Sequence, residues 1–301
     1  MIAASEYELL HDAAGVVERT RGQLILRGSE AADFLQGQVT NEVEGLAPGG
    51  GCYALLLTHK GKVRVDMRLL RGADWIWVDH PKGGIPVLDH MIRTYGIGRD
   101  LRPEDVTEER TILSVLGPGA RAALGVDVPD EEHSFVEENG VLYVATDLGV
   151  DVIGPAGHTL DGIEAVSTDA AECLRVESGR PRLGLDFDSD TIPQEAGLNE
   201  RGVSFSKGCY VGQETVARLH YKGKPNRHLR GLRLSDVAER GDELLLGERV
   251  VGTVGSVAES PVHGPIALAL VRREAEPGDT VRVGTGALTA EVVELPFRRK
   301  P

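Results

Sequence analysis

LRGLRLSDVAERGDELLLGERVVGTVGSVA, Leu229 to Ala258, is a chain of short β-rich pieces broken by the turn signals GD and LGE, with no helical period. The texture continues through IALALV (Ile266–Val271), DTVRV (Asp279–Val283) and LTAEVVEL (Leu288–Leu295), with HGP, PGD and GTG between them. Short strands closely spaced by turns predict a small closed barrel or sandwich. The change of texture falls at Pro225-Asn226, so a domain boundary is expected near Asn226, with residues 227–301 forming the β-rich domain.

Upstream the chain alternates helix and sheet, the pattern of an α+β fold. Ser29 is a candidate N-cap for EAADFLQGQ, and strands are expected at Tyr53–Leu57, Lys62–Leu70 and Trp75–Val78, separated by THKG and RGAD. IPVLDHMIRTYG places Leu88, Met91, Ile92 and Tyr95 at helical spacing ahead of Gly96. A second block has strands at Thr111–Leu116, Val141–Ala145 and Val150–Ile153, a short helix near Ala120–Leu124, and a helix from about Asp169 to Ser178 that Gly179 stops. Pro181 to Ser206 is rich in Gly, Asp and Pro without periodicity, which predicts an irregular ordered segment.

With 301 residues, 41% of them hydrophobic and no biased tract, the chain can bury a sizeable core. Its longest apolar runs, such as Ile266–Val271, are far short of a bilayer span, so no membrane helix is expected. The start, MIAASEYELLHDAAGVV, has no basic residue before its apolar positions and carries acids within them, unlike a secretory signal; a cytoplasmic location follows as the expectation. Cys52, Cys173 and Cys209 are an odd, widely spaced set without a C-x-x-C pair, which excludes a disulfide framework and a thiolate zinc site.

The net charge of -14 argues against stable nucleic-acid binding or an anionic-membrane surface. From Lys207 to Arg233, however, seven cations face Glu214 alone, a local +6 that leaves -20 for the remainder. Such a segment is either a solvated basic face or a site for a small polyanion.

Four stretches carry candidate chemistry. In KGKVRVDMRLL, alternation puts Val63, Val65, Met67 and Leu69 on one face and Lys62, Arg64, Asp66 and Arg68 on the other. Asp66 is then one carboxylate among three cations, suited to hold a cationic or proton-bearing amine, or else part of a solvent-facing ladder of ion pairs. TILSVLGPGARA has the outline of a dinucleotide turn, but Pro118 removes a backbone donor and no parallel unit precedes it. LRVESGRP ends a helix at Glu177 between Arg175 and Arg180. A carboxylate held there can take two parallel N–H bonds from a ring of the guanine or pterin type, or be an exposed helix-end glutamate.

KGCYVGQET, Lys207 to Thr215, sets Gly208 and Gly212 around Cys209, and GQETVARL can start a helix with Glu214 in its first turn. Cys209 near a helix start and two residues from Lys207 is either a reactive thiolate or a small buried hydrophobe. Metal-centred hydrolysis and serine acyl transfer have no supporting motif.

KGCYVGQE, together with FLQGQVTNEV (Phe34–Val43), LTHKGKVRVD (Leu57–Asp66) and RVESGRPRLGLDF (Arg175–Phe187), resembles the YgfZ branch of the folate-binding superfamily that includes the glycine-cleavage T-protein. The resemblance implies two interleaved ferredoxin-like subdomains over residues 1–226 and a C-terminal β-barrel over 227–301, around a central tetrahydrofolate pocket. It implies that Asp66 faces the folate amines, that Glu177 with Arg175 grips the pterin, and that Cys209 and Lys207 form the working group. Tyr210, Gln213, Glu214 and Arg218 are then turned toward the cofactor, and the basic segment toward its glutamate tail.

The function implied is folate-dependent support of iron–sulfur cluster assembly or repair, with iron–sulfur enzymes, tRNA-modifying ones among them, as clients. The alternatives are a tetrahydrofolate-dependent aminomethyltransferase or demethylase, and a folate-binding module without chemistry. Two departures weigh against aminomethyl transfer: Met67 stands where T-proteins carry a second aspartate, and T-proteins lack the Lys-Gly-Cys-Tyr spelling. A single cysteine cannot supply the four thiolates of a stored cluster.

Overall fold

The structure is a computed structural model and describes residues 2–298. In chain order the elements are α1 (Ala4–Asp12), β1 (Gly15–Arg19), β2 (Gly22–Arg27), α2 (Ala31–Gln38), β3 (Gly51–Leu57), β4 (Val63–Arg71), β5 (Trp75–His80), α3 (Ile85–Tyr95), β6 (Arg102–Asp105), β7 (Arg110–Leu116) and α4 (Ala120–Leu124). There follow β8 (Phe135–Glu138), β9 (Val141–Thr146), β10 (Gly149–Pro155), α5 (Thr168–Glu177), α6 (Asn199–Gly202), α7 (Gln213–Lys222) and six strands, β11 (Arg227–Leu234), β12 (Glu243–Leu246), β13 (Arg249–Ser260), β14 (Gly264–Arg272), β15 (Thr280–Val283) and β16 (Thr289–Val293). They fall into two compact units, Leu9–Val166 with Asn199–Thr215, and Ser167–Leu198 with the chain from Val216 on and the residues up to Glu8.

The first unit holds two five-stranded sheets, ordered β3-β4-β5-β2-β6 and β1-β7-β10-β9-β8, with every paired strand antiparallel. Val65, Met67 and Leu69 of β4 bury against α2 and α3, whose Phe34, Leu35, Leu88 and Met91 form the helical half of that core. Each such side chain contributes about 1.5–3 kcal/mol relative to an exposed one. In α3, which has a proline in its first turn, Leu88, Met91 and Ile92 are buried as their spacing predicts, but Tyr95, the fourth member of the expected stripe, is 57% exposed.

The opposite face of β4 is not the solvent-facing ladder, one of the two readings that its alternation leaves open. Leu70 joins Ile112, Leu142, Val144 and Ile153 of the other sheet, while Arg68 bonds Asp79 on β5 and Asp151 on β10, both at 2.6 Å. The two sheets therefore meet through a layer that is apolar at one end and ionic at the other. A buried guanidinium so paired is needed where it lies, since removing one partner of such a pair leaves an uncompensated charge.

In the second unit six strands close into a barrel, β11-β14-β13-β12-β15-β16, filled by Leu232, Leu244, Val254, Val281 and their neighbours. α5 packs on its outside through Val176 against Ile266, Leu268 and Phe297. Ser167 caps α5 by accepting from the Ala170 amide at 3.2 Å. Gly179 ends it at φ +69, where a Cβ would also lie 2.8 Å from Leu295.

One expectation is corrected at this level. Ser29 does not cap α2; Glu30 is the cap residue, with no side-chain capping bond because its carboxylate accepts from the Asp100 amide at 2.6 Å, and Ser29 instead bonds the Asp100 carboxylate. The glycine turn after β7 is no phosphate loop, because its amides are already used: Gly117 donates to Leu148 and Gly119 to Ala13, at 2.8 and 2.7 Å.

Candidate functional site

In the first unit the site is built where the segment ahead of α7 meets the β3–β4 hairpin. Thr40 bonds the Gly202 carbonyl, the Ser204 amide returns to Thr40, and Arg201 lies over the Tyr53 ring at 5.6 Å. Gly212 is at φ +85, and a Cβ on it would stand 2.4 Å from the Thr58 carbonyl and 3.2 Å from Gly61. Only glycine satisfies both the left-handed backbone and that approach. THKG and KGCYVGQE, far apart in the chain, are thus pressed together.

Lys207 is buried, and its ammonium donates to the carbonyls of Gln36, Val39 and Asn41 at 2.8, 2.8 and 2.7 Å. These carbonyls lie at and beyond the C-terminal end of α2, where backbone acceptors lack intrahelical partners and a cation is favoured. Burial pushes the ammonium down to about 8, against the pull of Glu42. Its charge also sits 5.4 Å from the centroid of the buried Tyr210 ring. Between these two inward anchors Gly208 and Cys209 are exposed, and Gln213 braces the loop by donating to the Gly208 carbonyl at 3.3 Å. Cys209 is therefore neither buried nor mobile in a free loop; it is a solvent-facing thiol on a clamped turn. Glu214 is exposed in the first turn of α7.

Asp66 is 8% exposed. Its Oδ2 accepts from the Tyr53 hydroxyl at 3.0 Å, while its Oδ1 is buried with no partner among the described residues. An ionised or hydrogen-bonding oxygen left bare inside a protein costs on the order of 1–3 kcal/mol, which a ligand N–H aimed at it would recover. Burial, then the field of Asp66, holds the Tyr53 phenol well above its ordinary range, so it stays a donor. Of the three cations expected around Asp66, Arg68 is committed to Asp79 and Asp151.

In the second unit Glu177 is 7% exposed, not a solvated helix end. It accepts from the Tyr7 hydroxyl at 3.1 and 3.3 Å and from the Cys173 thiol at 3.7 Å. Burial and then the Glu177 charge raise both donors, Cys173 to about 12. Arg175 beside it is fully engaged with Glu172, the Arg180 carbonyl, Asp186 at 3.1 Å and Ser256 at 2.6 Å. It fastens α5 to the irregular segment and to β13. Arg218 is exposed on α7.

Tyr53 and Tyr7 are the residues that sequence reasoning missed. Tyr53 was reachable, since the β3–β4 register sets it opposite Arg68 and diagonal to Asp66. Nothing in MIAASEYELL points to Tyr7 as a partner of a glutamate 170 residues away. Among the described residues no cluster of His, Cys, Asp or Glu could hold a metal ion, and no helix is long and apolar enough to cross a membrane.

Residues 1–145 match the GCVT N-terminal domain, and residues 227–298 the glycine cleavage T-protein C-terminal barrel domain. The tRNA-modifying protein YgfZ of Escherichia coli K12 is 29% identical over 295 residues, covering 90% of this chain and 89% of its own. The same protein of Shigella flexneri matches to the same extent. The aminomethyltransferase T of the Bartonella henselae glycine cleavage system superposes with a TM-score of 0.87 at 22% identity, over 98% of this chain and 89% of that one.

Proposed function

Because the chain belongs to the glycine-cleavage T-protein superfamily, on the side of its YgfZ members, we propose that it is a tetrahydrofolate-binding accessory protein that supports iron–sulfur enzymes, tRNA-modifying ones among them, in the cytoplasm. The observation that carries the reading is the bare Oδ1 of Asp66, buried beside an oxygen already fixed by Tyr53. That carboxylate suits a folate amine: Tyr53 orients it, and the remaining oxygen accepts the ligand's N–H. Glu177, held by Tyr7 and Cys173, is a carboxylate positioned in advance for the pterin's adjacent N–H groups.

Tetrahydrofolate, when bound, would supply amines that can accept a one-carbon unit or, in its substituted forms, carry one. The protein's own part is to hold that ligand and to present Cys209. Lys207 acts through the loop rather than on the sulfur, since its three donors are taken by carbonyls. An exposed soft sulfur on a clamped turn is the kind of ligand iron–sulfur chemistry uses, and one such sulfur fits transient contact with a client rather than storage. Arg175, with its donors engaged, supports the pocket wall, while Tyr210, Gln213 and Glu214 shape the loop and Arg218 is available to an acidic tail.

The test is complementation. Cys209→Ser is expected to abolish rescue of iron–sulfur enzyme activity and tRNA thiolation in cells lacking the protein, while tetrahydrofolate binding by the purified variant is retained. Full rescue by Cys209→Ser, with methylene-tetrahydrofolate formation that depends on Asp66, would instead identify a one-carbon transferase.

A further inference from the structure

A cleft lies on the barrel unit, sharing none of the residues assigned above to folate or to the thiol. It has a volume of about 500 Å³ and runs between residues 184–191 and the outer side of β13 and β14. That volume lies within the range of small-molecule sites. The irregular segment is held tightly to the barrel: a Cβ on Gly255 would be 2.7 Å from Asp186, whose carboxylate accepts from the Ser256 amide, the Arg182 amide and Arg175.

Three arginines line the cleft, and their pairing is unbalanced. Arg227 on β11 and Arg272 on β14 are direct register partners. Like charges directly opposite across a strand pair oppose folding unless something offsets them. Arg227 is offset by Glu195, at 2.8 and 3.1 Å. Arg272 is exposed, and its side chain makes no hydrogen bond or close ion pair among the described residues, although Glu274 lends it a favourable field that it shares with Arg249 and Arg273. Arg240, at the turn before β12, gives one donor to the Gly184 carbonyl, which ties the two rims together, and has no other partner among the described residues.

The acids lining the cleft do not cancel this. Asp186 is saturated, and Asp188 turns Oδ1 to the Thr191 hydroxyl and the Asp190 amide, at 2.9 Å each. Val250, 41% exposed, with the half-buried Leu270 adds an apolar wall. Planar guanidiniums beside an apolar surface match an anionic group carried on a short hydrophobic body.

We propose that this cleft binds a small organic anion, an aryl or alkyl phosphate or carboxylate, with Arg272 and Arg240 gripping the anion and Val250 covering its apolar part. Calorimetric titration of the full chain at low salt tests it, with phenyl phosphate and benzoate as probes, inorganic phosphate as the bare anion and phenol as the neutral control. Saturable binding of phenyl phosphate, benzoate or both is expected, with the preferred probe identifying the anion class. Arg272→Gln is expected to weaken it by about tenfold or more, and Val250→Ser to weaken the aryl probe but not inorganic phosphate. The unfolding midpoint of Arg272→Gln should equal or exceed that of the unaltered chain, because a like-charge opposition is relieved. No saturable binding of either aryl anion up to ~10 mM, equal affinity for phenol, unchanged affinity in Arg272→Gln, or a lowered midpoint in that variant would overturn the proposal.

Discussion

The Tyr53 hydroxyl donates to Oδ2 of Asp66 at 3.0 Å, and Oδ1 of the same carboxylate is buried without a partner. One oxygen is thereby fixed and the other left for a ligand. Tyr53→Phe removes the fixing bond and leaves the Asp66 carboxylate without a hydrogen bond among the described residues, in the field of Arg21. It should lower stability by about 1–3 kcal/mol in urea denaturation. It should also weaken tetrahydrofolate binding less than Asp66→Asn does.

Lys207 and Cys209 are two residues apart yet should behave oppositely. Lys207→Met strips three carbonyls of their donor and should cost about 2–4 kcal/mol. Cys209→Ser, at an exposed position, should stay within about 0.5 kcal/mol of the unaltered chain. Paired denaturation curves check this, and equal effects would refute the clamp.

Gly212 carries a positive φ and abuts the Thr58 carbonyl. Gly212→Ala is expected to destabilise by about 1–3 kcal/mol, since both strain and a clash are introduced. A near-neutral midpoint would show that the hairpin and the signature loop are not pressed together.

His133 provides a pH signature for the first unit. Burial, with the fields of Arg68 and Arg201, pushes its imidazolium down from 6.5 to about 3. The unfolded chain therefore takes up a proton as pH falls below about 6.5, while the folded one does so only near 3. Its contribution to stability is complete above pH 6.5 and is lost progressively down to pH 3, on the order of 2–4 kcal/mol in all. His133 is at φ 73, a conformation asparagine tolerates, so His133→Asn should flatten the acid limb of the stability profile without loss at pH 8. An unchanged acid limb would contradict this.

Much of the architecture was legible because it is written in local periods. The turn-spaced pieces after Asn226 close into a barrel, and the stripe Leu88, Met91, Ile92 is buried as its spacing requires. The exposed faces were not legible in the same way. Alternation in β4 separates Asp66 and Arg68 from Met67, but cannot show that a second sheet covers the polar face. Ser29 fits a cap by type, yet Asp100 competes for it from 71 residues away. The candidate site divides likewise: the motifs picked out Asp66, Glu177 and Cys209, whereas the partners that orient them, Tyr53, Tyr7 and the α2 carbonyls for the Lys207 clamp, come from distant stretches with no pattern of their own.

The most direct test of the account is equilibrium titration of the purified chain with tetrahydrofolate, alongside Asp66→Asn and Glu177→Gln. Saturable binding is expected, weakened by about tenfold or more in each variant while thermal unfolding stays cooperative. Failure of the unaltered chain to bind tetrahydrofolate, or undiminished binding in Asp66→Asn, would contradict it.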